Sequence, residues 1–357
     1  MTSAVTLAQS ASTGVTLGFK NRIINGNFEI WQRNPSGASV FQSVTYAGAD
    51  RWCSAGFQQA RVSRITVPVG SGPISRFACR VGSSPASDNS NFGTRMSLRQ
   101  KIEFANCYDL AGQSVTLSFW VRFSGASFPS LANTQSSAFG PWRYSILFNT
   151  TTTDSPSSSD VQGDSSTSAP LTNGSLPTGW TRYTLTAQVP SNCNNVSVNF
   201  QFDQLGTTAS ETSQWYDVTD VQLEVGTTAT AFDERPYTLE LLLSQRYCVV
   251  IGPTAGPQNY SDNYYRFATV AVGESGGSAT TIFQYPVLMR ATPSFSATGA
   301  FQLYDGSFYT VTSVTYASFG PFNACITYQA PGLTNGRAYH PLAGNNQTAR
   351  QVFSAEL

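Results

Sequence analysis

Few residues in this chain are placed to do catalytic chemistry. The single histidine, His340, precedes a proline in a loop-rich stretch, and a lone histidine is more often structural than catalytic. No GxSxG nucleophile motif, HExxH metal motif or phosphate-binding glycine loop occurs. Carboxylates act on a glycosidic bond only as a pair held about 5–10 Å apart across the sugar. Any chain of this size places some carboxylates at that distance by chance, so their presence is no evidence for catalysis. Because no catalytic motif is found, we predict that the protein is not an enzyme.

Aromatic side chains are stronger candidates for binding, because flat rings pack against the apolar C–H faces of sugars. In VTLSFWVRF, Trp120 and Arg122 point away from the apolar stripe of their strand and could line a groove. The alternative, which large aromatic side chains more often adopt, is that Trp120 packs beneath a loop or against a partner chain. Tyrosines among Ser, Gly and Asn are typical of recognition loops and also of ordinary strand ends. The tyrosine candidates are Tyr260, Tyr264, Tyr265, Tyr304 and Tyr309.

The composition favours strands and loops. Aromatic residues reach 13%, and Ser, Thr, Gly and Asn separate the apolar runs. Charged residues are only 11%, the formal net charge is zero, and only Lys20 and Lys101 are lysines. This balance gives no long-range attraction for nucleic acid or anionic lipid. No apolar run approaches the roughly 20 residues of a membrane helix, and the N-terminus lacks the basic region of a signal peptide. We therefore expect no membrane insertion.

Apolar and polar residues alternate along many runs between residues 21 and 235. VTLSFWVRF, WRYSILF, TRYTLTAQV and VSVNFQF each place their large apolar residues on one face, which is the period of a strand. Turn residues separate these runs, as in a sandwich of antiparallel strands. Residues 149–179 carry almost no large apolar residue, and we predict a long loop there. The six cysteines lack CxxC spacing and fit buried free thiols.

A single short helix is predicted between two β-rich halves. Pro236 suits a first helical turn, and Leu239, Leu242 and Leu243 follow at helical spacing. A helix of about 12 residues is marginal alone. Its leucines would therefore dock on one or both sandwiches, or on equivalent helices about a three-fold axis in a trimer.

The predicted fold class is all-β, with two jelly-roll-like β-sandwich domains joined by the short α-helix. The predicted order along the chain is an N-terminal attachment arm (1–20), a first sandwich (21–235), the connector helix (236–250) and a second sandwich (251–357).

Several stretches together resemble a family of bacteriophage tail-fibre and related virion proteins. They are GFKNRIINGNFEIWQR, AGADRWC, VTLSFWVR, the run from VTDVQLEVG to LSQRYC, YPVLMRATPSF and the closing FSAEL. The resemblance covers both ends of the first domain, the helix and much of the second domain. It implies a virion protein that is made in the cytoplasm of a bacterial host. Such proteins are commonly homotrimers that attach to other virion proteins through an N-terminal segment, here residues 1–20.

The leading functional prediction is a short trimeric tail fibre that binds host surface glycan without cleaving it. One alternative is a capsid decoration, head-fibre or tail-adaptor protein that binds other virion proteins. Another is a secreted carbohydrate-binding module, which the lack of a signal peptide disfavours.

The first domain also resembles jelly-roll carbohydrate-binding modules, through NGNFE near its start and YDVTDVQLE at its last strand. In such modules a structural calcium ion often bridges these two places, so the resemblance implies Glu29 and Asp220 as candidate ligands. Calcium takes about 6–8 oxygen ligands, and ordinary surface carboxylates are the alternative. No other cofactor is expected.

Overall fold

The structure is a computed structural model of the 357-residue chain. It describes residues 19–34, 38–41, 46, 48–56, 60–83, 96–124, 142–150, 165–171, 176–202, 215–253, 265–274, 276–318, 320–346 and 348–357. The predicted attachment arm lies outside this set except for its last two residues, and so do Tyr260 and Tyr264. No helix in the described part of the chain has the length and apolar character to span a bilayer.

The first half of the chain forms eleven strands and two short 3-10 turns. The strands are β1 (Ala38–Phe41), β2 (Cys53–Gly56), β3 (Ala60–Thr66), β4 (Phe77–Ser83), β5 (Met96–Lys101), β6 (Ser114–Phe123), β7 (Trp142–Asn149), β8 (Ser165–Leu171), β9 (Thr181–Gln188), β10 (Asn195–Phe202) and β11 (Trp215–Val225). The 3-10 turns are Phe104–Asn106 and Tyr108–Leu110.

These strands build a sandwich of two antiparallel sheets. One sheet has six strands in the order β1-β3-β4-β11-β6-β9, and the other has five in the order β2-β5-β10-β7-β8. The predicted apolar stripes of β6, β7 and β10 meet in one core, where the Trp142 ring lies 5.1 Å from Phe123 and 6.0 Å from Phe200. The predicted all-β sandwich is confirmed.

A helix and ten further strands form the second half. They are α1 (Tyr237–Gln245), β12 (Cys248–Ile251), β13 (Ala271–Glu274), β14 (Ser278–Gln284), β15 (Ser294–Thr298), β16 (Phe301–Tyr304), β17 (Phe308–Thr310), β18 (Ser313–Ser318), β19 (Asn323–Gln329), β20 (Ala338–Ala343) and β21 (Arg350–Ser354). A three-stranded sheet, β12-β21-β15, and a seven-stranded sheet, β17-β16-β20-β13-β14-β19-β18, enclose a second core. The cysteines are all free thiols.

The loop predicted over residues 149–179 is interrupted by a strand. Strand β8 pairs with β7 in register from Trp142↔Leu171 to Phe148↔Ser165. Its sequence, SSTSAPL, has no apolar alternation, so the pattern that reveals other strands is missing here. The strand forms instead because its backbone pairs with β7 at the edge of the sheet. An edge strand tolerates Pro170, because no neighbouring strand on its outer side needs an N–H donor.

The helix differs from the expected leucine-faced helix in its length and in its buried side. It begins after Pro236, which is the N-cap, and ends at Gln245; the last residues expected to be helical form β12 instead. Its buried residues are Glu240 and Ser244, whereas Leu242 is 38% exposed and Leu239 and Leu243 are partly buried.

An ion pair explains this orientation. The carboxylate of Glu240 accepts a hydrogen bond from Nη1 of Arg235 at 3.2 Å and another from the backbone N–H of Asn25. Burying the carboxylate away from these donors would cost several kcal/mol, roughly 3–5 for a broken buried pair. The helix therefore turns its charged side inward.

Buried polar groups also tie the second half to the first. Glu356, next to the C-terminal residue, accepts from Nη1 of Arg33 at 3.1 Å and from Arg51. Nearby, Nε2 of Gln32 donates to Oδ2 of Asp50 at 2.5 Å and to the carbonyl of Cys248 at 2.8 Å. The bonds to Glu356 and to Cys248 join the first half of the chain to the second. The bond between Gln32 and Asp50 lies beside them and holds the Gln32 side chain in place.

Burial changes the acidity of Asp50, which lies among these contacts between the two halves. It raises the pKa of Asp50 from 3.8 to about 7, because the removal of water outweighs the attraction of Arg33, 4.0 Å away, and the hydrogen bonds from Gln32. A carboxyl whose folded pKa is raised stabilises the fold fully below its unfolded pKa. That contribution is lost as the pH rises through the folded value.

We predict that Asp50→Asn reduces the fall in stability between pH 4 and 7. In the wild type, this carboxyl group lowers the free energy of unfolding by up to about 1.4 kcal/mol for each pH unit in that window. The amide cannot titrate, so the variant gains stability relative to the wild type as the pH rises. Urea unfolding at several pH values measures both slopes, and equal slopes for the two proteins would contradict the assignment.

Candidate functional site

The outer face of the six-stranded sheet gathers the polar and aromatic residues of its central strands. On β6, Phe119 and Val121 enter the core, so Trp120 and Arg122 lie on the outer side. The register places Asp217 of β11 directly opposite Arg122. On its other side, Asp217 faces Arg80 of β4.

A buried carboxylate joins the two arginines. Asp217 is fully buried and accepts from Nε and Nη2 of Arg80 at 2.7 and 2.9 Å. It also accepts from Nε of Arg122 at 2.8 Å. The side chains of Arg80 and Arg122 are 31% and 25% exposed. Charge-assisted bonds of this length hold both guanidinium planes in fixed positions on a surface that water reaches.

Two indole rings flank these guanidinium groups. The guanidinium carbon of Arg80 lies 3.7 Å from the ring centre of Trp215. That of Arg122 lies 4.9 Å from the ring centre of Trp180 and 5.7 Å from that of Trp215. Both tryptophans are partly exposed. We call this set, Arg80, Arg122, Trp180, Trp215 and Asp217, the tryptophan–arginine face.

Trp120 lies beside this face and beneath the loop between β3 and β4. A Cβ on Gly72 would come within 2.8 Å of the Trp120 ring, and Gly72 has a φ of +125°. Asp220 fixes the loop, since its carboxylate accepts the backbone N–H groups of Ile74 and Ser75 at 2.9 and 3.2 Å. The loop therefore covers part of the Trp120 indole, which is one of the alternatives that the sequence left open for this residue.

The two candidate calcium ligands do not form a built metal site. Asp220 already uses both carboxylate oxygens on backbone N–H groups, and burial raises its pKa. Burial and the nearby Glu234 raise the pKa of Glu29. Across the described residues, no group of three or more His, Cys, Asp or Glu side chains could hold a metal ion. Two carboxylates, one of them already hydrogen-bonded through both oxygens, do not fit a calcium ion, which takes about 6–8 oxygen ligands.

The structure does not bring the tyrosine candidates that it describes to the tryptophan–arginine face. All three belong to the second half. Tyr265 packs against Phe267 at 5.4 Å, and Tyr309 packs against Tyr339 at 5.5 Å, both beside the second core. Tyr304 forms a pair with the exposed Phe308.

Two other regions of the described structure lack the features of this face. On the outer side of the five-stranded sheet, Ser145, Asn199 and Gln201 are buried and present no open surface. In the second half, a pocket of about 1000 Å³ lies beside Val272, Ile282 and His340. The Nδ1 atom of His340 is 2.7 Å from the carbonyl oxygen of Thr269, so this histidine has a structural partner. Neither region combines exposed indoles with charge.

Sequence reasoning found Arg122 but missed Arg80, Trp180, Trp215 and Asp217. Alternation could have placed three of them, since Trp215 and Asp217 flank the core residue Tyr216 and Arg80 follows the core residue Cys79. What alternation cannot supply is the strand order β4-β11-β6, which brings residues distant in sequence onto one surface.

No protein-family model and no curated protein match the chain. Similar solved structures include the enzymatically active domain of tailspike protein 4 of bacteriophage CBA120, at 15% identity and a TM-score of 0.31, covering 57% of this chain and 21% of that chain. The module TmCBM61 in complex with β-1,4-galactotriose has 11% identity and a TM-score of 0.31, covering 58% and 99%. A CBM4 structure has 17% identity and a TM-score of 0.28, covering 57% and 98%. Scores this low carry no argument about function.

We predict that Asp217→Asn destabilises the protein by roughly 2 kcal/mol, because an amide cannot neutralise two guanidinium groups that lie together. This value is below the full cost of a broken buried pair, since both arginines are partly exposed. The matched control is Asp109→Asn, which breaks the exposed pair with Arg22 and should cost less than about 1 kcal/mol. The midpoints of urea unfolding give both values; equal losses would show that Asp217 is not the anchor of the face.

Proposed function

We propose that the protein binds glycans without cleaving them and that the tryptophan–arginine face is the binding surface. The observation that carries the proposal is the pair of partly exposed indoles beside guanidinium groups that a buried carboxylate holds in place. Indoles bind the apolar faces of sugar rings with little loss of side-chain entropy. Guanidinium N–H groups donate to hydroxyl oxygens.

The proposed biological role is adhesion, as a short tail fibre on a bacteriophage virion. The sequence resemblance to tail-fibre and virion proteins supports this role, with residues 1–20 attaching to the particle. Several weak sugar sites on one particle bind a cell surface strongly together, which suits a repeated fibre.

A second candidate is a decoration, head-fibre or adaptor protein whose surface binds another virion protein. The same face favours it, because tryptophan and arginine dominate the binding energy of protein interfaces. The two candidates differ in a measurable way. A fibre blocks adsorption of the phage to host cells when it is added as purified protein, and a decoration protein does not.

We predict that Trp215→Ala and Trp180→Ala each weaken glycan binding by about tenfold or more, since stacking on one aromatic ring contributes on the order of 0.5–1.5 kcal/mol beyond the area that it buries. Arrays of bacterial surface polysaccharides identify the ligand, and titration calorimetry measures the affinity. Phe322→Ala, which removes an exposed ring in the second half, is the control and should bind as the wild type does. Wild-type protein that binds no glycan on the arrays would overturn the proposal.

We also propose that the protein forms a homotrimer, with Leu239, Leu242 and Leu243 of α1 at the subunit contact. The polar buried face of the helix supports this, because it leaves Leu242 38% exposed, with Leu239 and Leu243 partly buried beside it. Burying the exposed 38% of the Leu242 side chain would contribute on the order of 1 kcal/mol, since full burial of a leucine is worth about 1.5–3 kcal/mol.

We predict that Leu242→Asp dissociates the trimer, because a charge inside the contact loses its water without gaining a partner. Multi-angle light scattering should give the mass of one chain, 38.4 kDa, for the variant and three times that mass for the wild type. Ile282→Asp, at an exposed position of β14, should leave the mass unchanged. An identical mass for Leu242→Asp and wild type would exclude this contact.

A further inference from the structure

We infer that the tryptophan–arginine face selects an acidic glycan, one whose sugars carry a carboxylate or another anionic group. The inference rests on the proposed glycan binding at the same face. Arg80 and Arg122 bring two positive charges, and Asp217 brings one negative charge. One positive charge is therefore left over at a surface between two indoles.

Arg122 has hydrogen-bonding capacity left for a ligand. A guanidinium carries five N–H donors, and Arg122 donates to Asp217 through Nε alone. Among the described residues neither of its Nη groups has an acceptor, and the side chain is 25% exposed. Two Nη groups in one plane match the two oxygens of a carboxylate or of a sulfate or phosphate group.

Arg182 adds a second positive charge beside the face. It lies directly opposite Trp120 on β9. Its Nη2 donates to Oγ of Ser118 at 3.1 Å and to the carbonyl of Thr230, and both acceptors are uncharged. In the part of the chain that the structure describes, no carboxylate forms an ion pair with Arg182. An anionic sugar would therefore meet three arginines, Arg80, Arg122 and Arg182. The nearby carboxylates are the shared Asp217 and the buried Asp220, which interacts electrostatically with Arg182, so one positive charge remains.

The charge at the face is local. The formal net charge of the whole chain is zero, so attraction at long range is weak and falls off within about 8–10 Å at physiological salt. Selection for an acidic sugar must then come from direct contact with the guanidinium groups. Added salt should therefore weaken the preference for the acidic sugar, while the contacts between indole and sugar stay in place.

Polygalacturonate and its fully methyl-esterified form separate charge from sugar shape, because they share one backbone. We expect the wild type to bind the acid at least about tenfold more tightly than the ester in about 20 mM NaCl, and about equally in 500 mM NaCl. Titration calorimetry measures both. Dextran sulfate against dextran repeats the comparison for a sulfate and distinguishes the kind of anion that the face takes.

Arg122→Gln tests whether this arginine makes the choice. Its amide keeps one donor for Asp217 but loses the charge, so the variant should bind acid and ester within about twofold of each other. Arg22→Gln, which removes one charge from the pair with the exposed Asp109, is the matched control and should keep the preference. Circular dichroism confirms that both variants are folded, and the wild-type comparison stands without either of them.

The outcomes separate the two proposals. Equal wild-type binding of acid and ester at low salt, with both lost in Trp215→Ala, overturns the selection for acid and supports glycan binding at the face. Arg22→Gln and Arg122→Gln could also weaken the preference for the acid equally. The preference would then be a general charge effect, and selection by the face would be overturned. Absence of binding to either polymer and to every glycan on the arrays overturns the proposed function and the inference together.

Discussion

The pairing of buried carboxylates with arginine is the constraint on which this structure depends. A carboxylate removed from water needs donors around it, because an unpaired buried charge costs several kcal/mol. Four such places in the described part of the chain bear on the architecture and on the binding face, and neither lysine of the sequence takes part in them. The pairs are Asp217 with Arg80 and Arg122, Glu240 with Arg235, Glu103 with Arg246, and Glu356 with Arg33 and Arg51.

Each pair fixes a different part of the molecule. Glu240 decides which side of α1 faces inward, and Glu356 holds the C-terminal strand region against residues near the start of the chain. Asp217 positions the surface that we propose as the binding site. Arginine suits all of these places, since its planar fork bonds a carboxylate at two points while its flat face packs on an aromatic ring. The same chemistry thus serves both stability and binding.

A preorganised face matters for weak ligands such as sugars. Arg80 and Arg122 are held by Asp217 and by the indoles before any ligand arrives, so little side-chain entropy remains to be lost on binding. The sandwich beneath supplies the rigidity, because the three strands β4, β11 and β6 that carry Arg80, Asp217 and Arg122 are central in the sheet and their other face fills the core. A site built on strands in this way keeps its geometry better than one built on loops.

The sequence by itself determined the fold class, because strand periodicity and the aromatic core stripes of β6, β7 and β10 are local signals. It also determined that Trp120 and Arg122 leave the core side of their strand. Only the tertiary structure decided the rest. Strand β8 has no apolar pattern and exists through pairing with β7. The buried face of α1 follows Glu240, whose carboxylate accepts from the backbone N–H of Asn25, 215 residues away in sequence. The tryptophan–arginine face needs the order of strands β4, β11 and β6. These features depend on which distant segments become neighbours, and no local pattern of residues contains that information.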